Sequence, residues 1–152
     1  MGLSKRKRTC FLILFVIYLG ILVYVLFLSP GFGRTQGIAH GVNLIPLQEI
    51  RRYYKGWESL SSSLFWLNIV GNIVAFLPMG FFISALTKRR FYAVFAFAIV
   101  YLASAGAEIL QYVLRIGSFD IDDVILNTFG GILGIALYAL FRTEIVGSKG
   151  RK

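Results

Sequence analysis

The sequence predicts an all-α integral membrane protein, a four-transmembrane-helix bundle with both termini cytoplasmic and an interfacial outer loop. Three observations carry that prediction. The 152 residues are 57% hydrophobic and 16% aromatic, with a mean hydropathy of +0.74, too apolar for a soluble domain of this length. Four runs, Cys10–Leu28, Leu64–Leu86, Phe91–Leu114 and Ile121–Phe141, approach or exceed the ~20 residues that a helix needs to cross the hydrocarbon core. Basic residues alternate in density between the segments that join these runs. Lys5, Arg6, Lys7 and Arg8, the turn Lys88, Arg89 and Arg90, and the tail residues Arg142, Lys149, Arg151 and Lys152 make eleven of the sixteen, against five on the alternate side. The positive-inside rule places those three segments in the cytoplasm. The net charge of +9 therefore describes topology, and no nucleic-acid partner is expected.

Taken in order, residues 1–9 form a basic cytoplasmic terminus, residues 10–141 the transmembrane domain and residues 142–152 a basic cytoplasmic tail. The first run is longer than a signal-peptide core and lacks a small-x-small cleavage site, so it reads as an uncleaved helix. Pro30, Gly31 and Gly33 end it. Cys10 is the only cysteine, which rules out an intramolecular disulfide. The outer loop, residues 29–63, is too short for a core of its own. Its stretch from Asn43 to Trp57 mixes apolar, aromatic and basic residues, Pro46, Arg51 and Arg52 among them, as suits a peptide lying on the outer interface. Ser61 to Ser63 offer a cap for the second span, and Pro78 and Gly80 are expected to break its lower half. The short turn at 87–90 makes the second and third spans antiparallel neighbours. Asp120 is placed to cap the fourth span. Gly130, Gly131 and Gly134 admit close helix packing, within the bundle or between subunits.

Polar residues gather at one depth. Asn68 and Asn72 are one turn apart in the second span, Glu108, Gln111 and Arg115 share a stripe at the end of the third, and Asp120, Asp123 and Asn127 share a face of the fourth. Ionisable groups at membrane depth are costly and usually mark a site. Arg115 is the expected partner of Glu108, with Asp120 or Asp123 as alternatives, and the amides complete the network. The same polar residues would also be present if the network only held the bundle together. The lone histidine, His40, sits in the outer loop and no His/Cys cluster exists, so neither a metal, a cofactor nor a Ser–His–Asp site is predicted.

Four blocks, Asn43-Leu-Ile-Pro46, Asn68-Ile-Val-Gly-Asn72 with Phe76-Leu-Pro-Met-Gly80, Glu108-x2-Gln111-x3-Arg115, and Asp120-x2-Asp123-x3-Asn127-x2-Gly130-Gly131-x2-Gly134, occur in an order that resembles the VanZ-like family. The resemblance runs from about residue 41 to residue 140. It implies a multi-pass protein of the bacterial cytoplasmic membrane, in a family whose name-giving member is associated with low-level resistance to teicoplanin, a lipid-bearing glycopeptide. It supplies no settled biochemical activity. Which of Asp120, Asp122 and Asp123 is the functional carboxylate stays open.

The leading expectation is a non-enzymatic envelope protein whose outer polar pocket binds a lipid-linked cell-wall precursor or a glycopeptide. Arg115, Arg51 and Arg52 would suit phosphate oxygens, and the carboxylates and amides sugar hydroxyls or an ammonium. The alternative is a membrane hydrolase or transferase acting on lipid-phosphate headgroups, with Glu108 as base and Asp120 or Asp123 as second carboxylate. Transport ranks last, because the inner halves of the spans lack polar residues.

Overall fold

The computed structural model describes residues 3–29, 41–48, 51, 62–88 and 90–146, with side chains in the second helix described from Asn68. Its helices are α1 (Lys5–Val23), continued by a π-helical turn over Tyr24–Leu28, then α2 (Ser62–Leu86), α3 (Tyr92–Val113) and α4 (Ile121–Val146). All four have the length and composition to cross a membrane, which makes this a multi-pass helical membrane protein. Two short strands, β1 (Val42–Asn43) and β2 (Phe119–Asp120), form a parallel ladder with Val42 opposite Phe119 and Asn43 opposite Asp120. The all-α prediction omitted this ladder, since strands of two residues carry no periodic signal.

Glycines set the closest helix pair. A Cβ on Gly130 would fall on the Ile73 carbonyl, one on Gly134 on the Leu77 carbonyl, and one on Gly80 on the Gly131 carbonyl. Only glycine lets the α2 and α4 backbones approach this far, which lipid-solvated helices exploit because packing rather than the hydrophobic effect drives their association. The pairs Asn72–Asp123, Ile73–Gly130, Leu77–Gly134 and Phe81–Tyr138 advance together along both helices, so α2 and α4 run parallel. Gly131 also faces Val100 of α3. The glycine run thus packs inside the bundle. Pro78 does not break α2, which continues to Leu86, and Gly80 serves approach rather than a break.

The α1 helix lies against α2 in the opposite sense. Phe11 stacks on Phe81 at 6.1 Å and Phe15 meets Phe82 at 5.8 Å, while the Tyr18 hydroxyl donates to the Ala75 carbonyl at 2.6 Å. Leu22 joins Phe76, Met79, Ile83, Ala96 and Val100 in the buried core. Outward positions such as Val16, Ile17, Ile21, Val94, Leu102 and Leu140 are exposed apolar residues, the surface that a bilayer covers.

One end of the bundle is basic. Lys7 Nζ donates to the Ile145 carbonyl at 2.9 Å, a cation on the last turn of α4 where the helix dipole favours it. That contact accompanies a fourth helix longer than the run ending at Phe141. The Arg142 guanidinium lies 5.2 Å over the Tyr92 ring, which meets Tyr138 edge-on at 5.2 Å. The start of α1, the start of α3 and the end of α4 therefore share this end. Glu108, Asp120, Asp122 and Asp123 occupy the other, the polar end.

Candidate functional site

Antiparallel packing of α3 on α4 brings the polar residues into register. From the contact of Val100 with Gly131, one turn toward the polar end places Ser104 level with Asn127. One further turn places Glu108 level with Asp123, and the two carboxylates lie within charge–charge range. Glu108 is 4% exposed and Asn127 1%. On α2, the buried Asn72 amide donates to Asp123 Oδ1 at 2.7 Å and to Asn68 Oδ1 at 3.3 Å. Three helices thus converge, each through residues that the sequence marks.

The four acids do different work. Asp120 is the residue before α4, and its Oδ1 accepts the Asp122 N–H at 2.9 Å as an N-cap. The same oxygen accepts the Asn43 amide at 3.0 Å, and the Asp120 N–H donates to Glu108 Oε2 at 3.2 Å. Asp123 meets Asn72. Asp122, 1% exposed, accepts the N–H of Leu47. Asp122 and Asp123 also stand in the first turn of α4, where a carboxylate interacts favourably with the helix dipole. The role of Asp122 was missed by spacing, because its partner is 75 residues away.

Residues 41–48 are laid over this end. The Phe119 N–H donates to the Gly41 carbonyl at 3.2 Å, the ladder follows, and Asn43 Oδ1 accepts the Ile45 N–H at 3.2 Å. Pro46 then starts a turn closed by Gln48 N–H to the Ile45 carbonyl at 3.2 Å, with Leu47 at φ 63°. Pro at the second position and positive φ at the third are the signature of a type II turn, a place that glycine usually fills. The Asp122 bond holds Leu47 there. Val42, Leu44, Ile45 and Leu47 nonetheless remain exposed, an apolar lip beside the carboxylates. Arg51 is exposed and bonds back through its N–H to Leu47. Arg52 lies outside the described residues, as does His40.

Two placements correct the sequence reading. Arg115 does not continue the Glu108 stripe, because α3 ends at Val113. It stands at φ 57°, with its N–H on the Tyr112 carbonyl at 3.1 Å and the Ile116 N–H on the Gln111 carbonyl at 3.0 Å. This is a Schellman reversal with arginine in glycine's place. The side chain is exposed and, among the described residues, forms no ion pair with Glu108. Gln111 instead turns toward α1, donating to the Leu26 carbonyl at 2.9 Å within the π-helical turn, where the helix's own bonding pattern is disturbed. Among the described residues no group of three His, Cys, Asp or Glu side chains is placed to hold a metal ion.

A helical membrane bundle with buried acids and amides at one end, roofed by a folded segment, defines the class. Sequence comparison then gives the lineage. The model of the VanZ/LLP1 family matches residues 15–142, and the chain belongs to that family. It is 41% identical over 73 residues to Protein VanZ of Enterococcus faecium. That match covers 47% of this chain and 44% of the relative, so it spans less than half of either protein. No solved structure matches.

Proposed function

We propose that the chain is a non-enzymatic protein of the bacterial cytoplasmic membrane. Its polar end faces outward and binds the headgroup of a lipid-linked cell-wall precursor or a glycopeptide, modulating susceptibility to teicoplanin-type antibiotics. The observation that carries this reading is the adjacency of an apolar lip, Val42, Leu44 and Ile45, to a cluster of four acids and three asparagines. A lipid-bearing ligand needs both, an apolar surface for its chain and hydrogen-bonding groups for its head. Family membership and the outward placement given by the positive-inside rule support the same reading. The exposed Arg115 and Arg51 are at hand for phosphate oxygens.

The test is expression in a Gram-positive host at matched membrane abundance. Wild type is expected to raise the inhibitory concentration of teicoplanin more than that of vancomycin, which lacks the lipid chain. Glu108→Gln and Asp123→Asn are expected to abolish the shift. An unchanged inhibitory concentration with wild type, or a shift that both variants keep, would refute the reading.

A further inference from the structure

One turn beneath Glu108 and Asp123 the bundle holds buried polar atoms that have no hydrogen-bond partner among the described residues. They are Ser104 Oγ, Asn127 Oδ1 and Thr128 Oγ1, with Ser104 0% and Asn127 1% exposed. Buried polar atoms are nearly always satisfied, and leaving one bare in an apolar surrounding is costly. An amide oxygen only accepts, so what meets Asn127 Oδ1 must be a donor or a cation. The serine hydroxyl stands level with it across the helix pair, through the register set by Val100 and Gly131. One turn above is Glu108, whose described hydrogen bond is the Asp120 N–H on Oε2.

We propose that this layer is a binding site for a small monovalent cation, held by the Glu108 carboxylate, the Asn127 amide oxygen and the Ser104 hydroxyl. The donors are hard oxygens, the set that alkali and alkaline-earth ions take in preference to soft metals. One carboxylate with neutral oxygens balances a single positive charge. Asp123 is drawn toward Asn72 instead. Ser104 Oγ and Asn127 Oδ1 lie a further turn into the bundle than the carboxylates, a depth that limits the occupant to an ion or a water molecule. The site joins α3 to α4 and shares Glu108 with the headgroup reading above; Ser104 and Asn127, one turn deeper, are its own.

The experiment is thermal unfolding of the purified full chain in detergent, in sodium, potassium or choline chloride at constant ionic strength. Sodium or potassium is expected to raise the unfolding temperature saturably over choline, by about 5 °C at saturation. Asn127→Leu is expected to abolish that rise, and Ser104→Ala to increase the half-saturating concentration by about tenfold. Equal unfolding temperatures in all three salts would overturn the proposal and leave the layer to water. A cation effect kept in full by both variants would overturn it as well, since the ion would then bind elsewhere. If Asn127→Leu does not fold, the wild-type series and Ser104→Ala decide.

Discussion

Leu47 and Arg115 both hold positive φ without being glycine, and both lie at the polar end. Side chains in the left-handed region cost of order 1 kcal/mol, and such strain collects where a side chain has other work. At Arg115 the Schellman reversal would accept glycine directly. Arg115→Gly is therefore expected to stabilise the fold by about 1 kcal/mol, seen as a rise of a few degrees in unfolding temperature. The same change is expected to weaken the teicoplanin shift if the guanidinium meets ligand phosphate. A stabilised variant with full activity would reduce Arg115 to a helix terminator. At Leu47 the strain is held by one buried carboxylate. Asp122→Ala removes that acceptor, and hydrogen exchange at the Leu47 and Gln48 amides should quicken by about tenfold or more while amides in the middle of α3 keep their protection.

Among the elements, α2 and α4 form the rigid pair, and their glycines explain why. Backbone touches backbone at three places, so any side chain there must separate the helices. Gly134→Leu is expected to destabilise the bundle by about 3 kcal/mol or more, measured as loss of the folded fraction in detergent titration. Gly106→Leu on α3, where nothing lies within 4 Å of the added Cβ, should leave the folded fraction unchanged. By contrast α1 is attached through aromatic stacking, Tyr18 and the Gln111–Leu26 bond. Gln111→Leu should loosen the π-helical turn while sparing the α2–α4 core. The β1–β2 ladder ties a segment from the loop to the cap of α4, so the roof and the fourth helix are one mechanical unit.

For the molecule as a whole, the described helices put the basic residues of α1 and α4 at one end and Glu108, Asp122 and Asp123 at the other. An outward polar end predicts a simple labelling result. In a Cys10→Ser background, Ser118→Cys should react with an impermeant maleimide on intact cells, and Lys88→Cys only after permeabilisation. The reverse pattern would invert the topology and remove the basis for extracellular ligand binding.

Hydropathy and the spacing of lysine and arginine were enough to read the four spans and an expected sidedness, while the lineage rested on the four ordered blocks of polar residues and glycines. Spans and sidedness are properties that a bilayer reads locally, segment by segment, and they sum along the chain without reference to its folding. The list of polar residues was also legible, because an Asn, Glu or Asp in an apolar helix stands out wherever its helix goes. Asp120 as a cap belongs here too, since a cap and its helix are neighbours in sequence. What each polar residue does was another matter. Asn43 meets Asp120 across 77 residues and Leu47 meets Asp122 across 75, and no local pattern links positions so far apart. Helical spacing extended through Leu114 placed Arg115 beside Glu108, but the chain reverses one residue earlier than that face requires. Packing of the glycine run inside the bundle, the separate partners of Asp120, Asp122 and Asp123, and the layer at Ser104 and Asn127 depend on how α2, α3 and the 41–48 segment are set against α4. That register is a property of packed side chains and backbone approach, and it exists only once the helices are assembled.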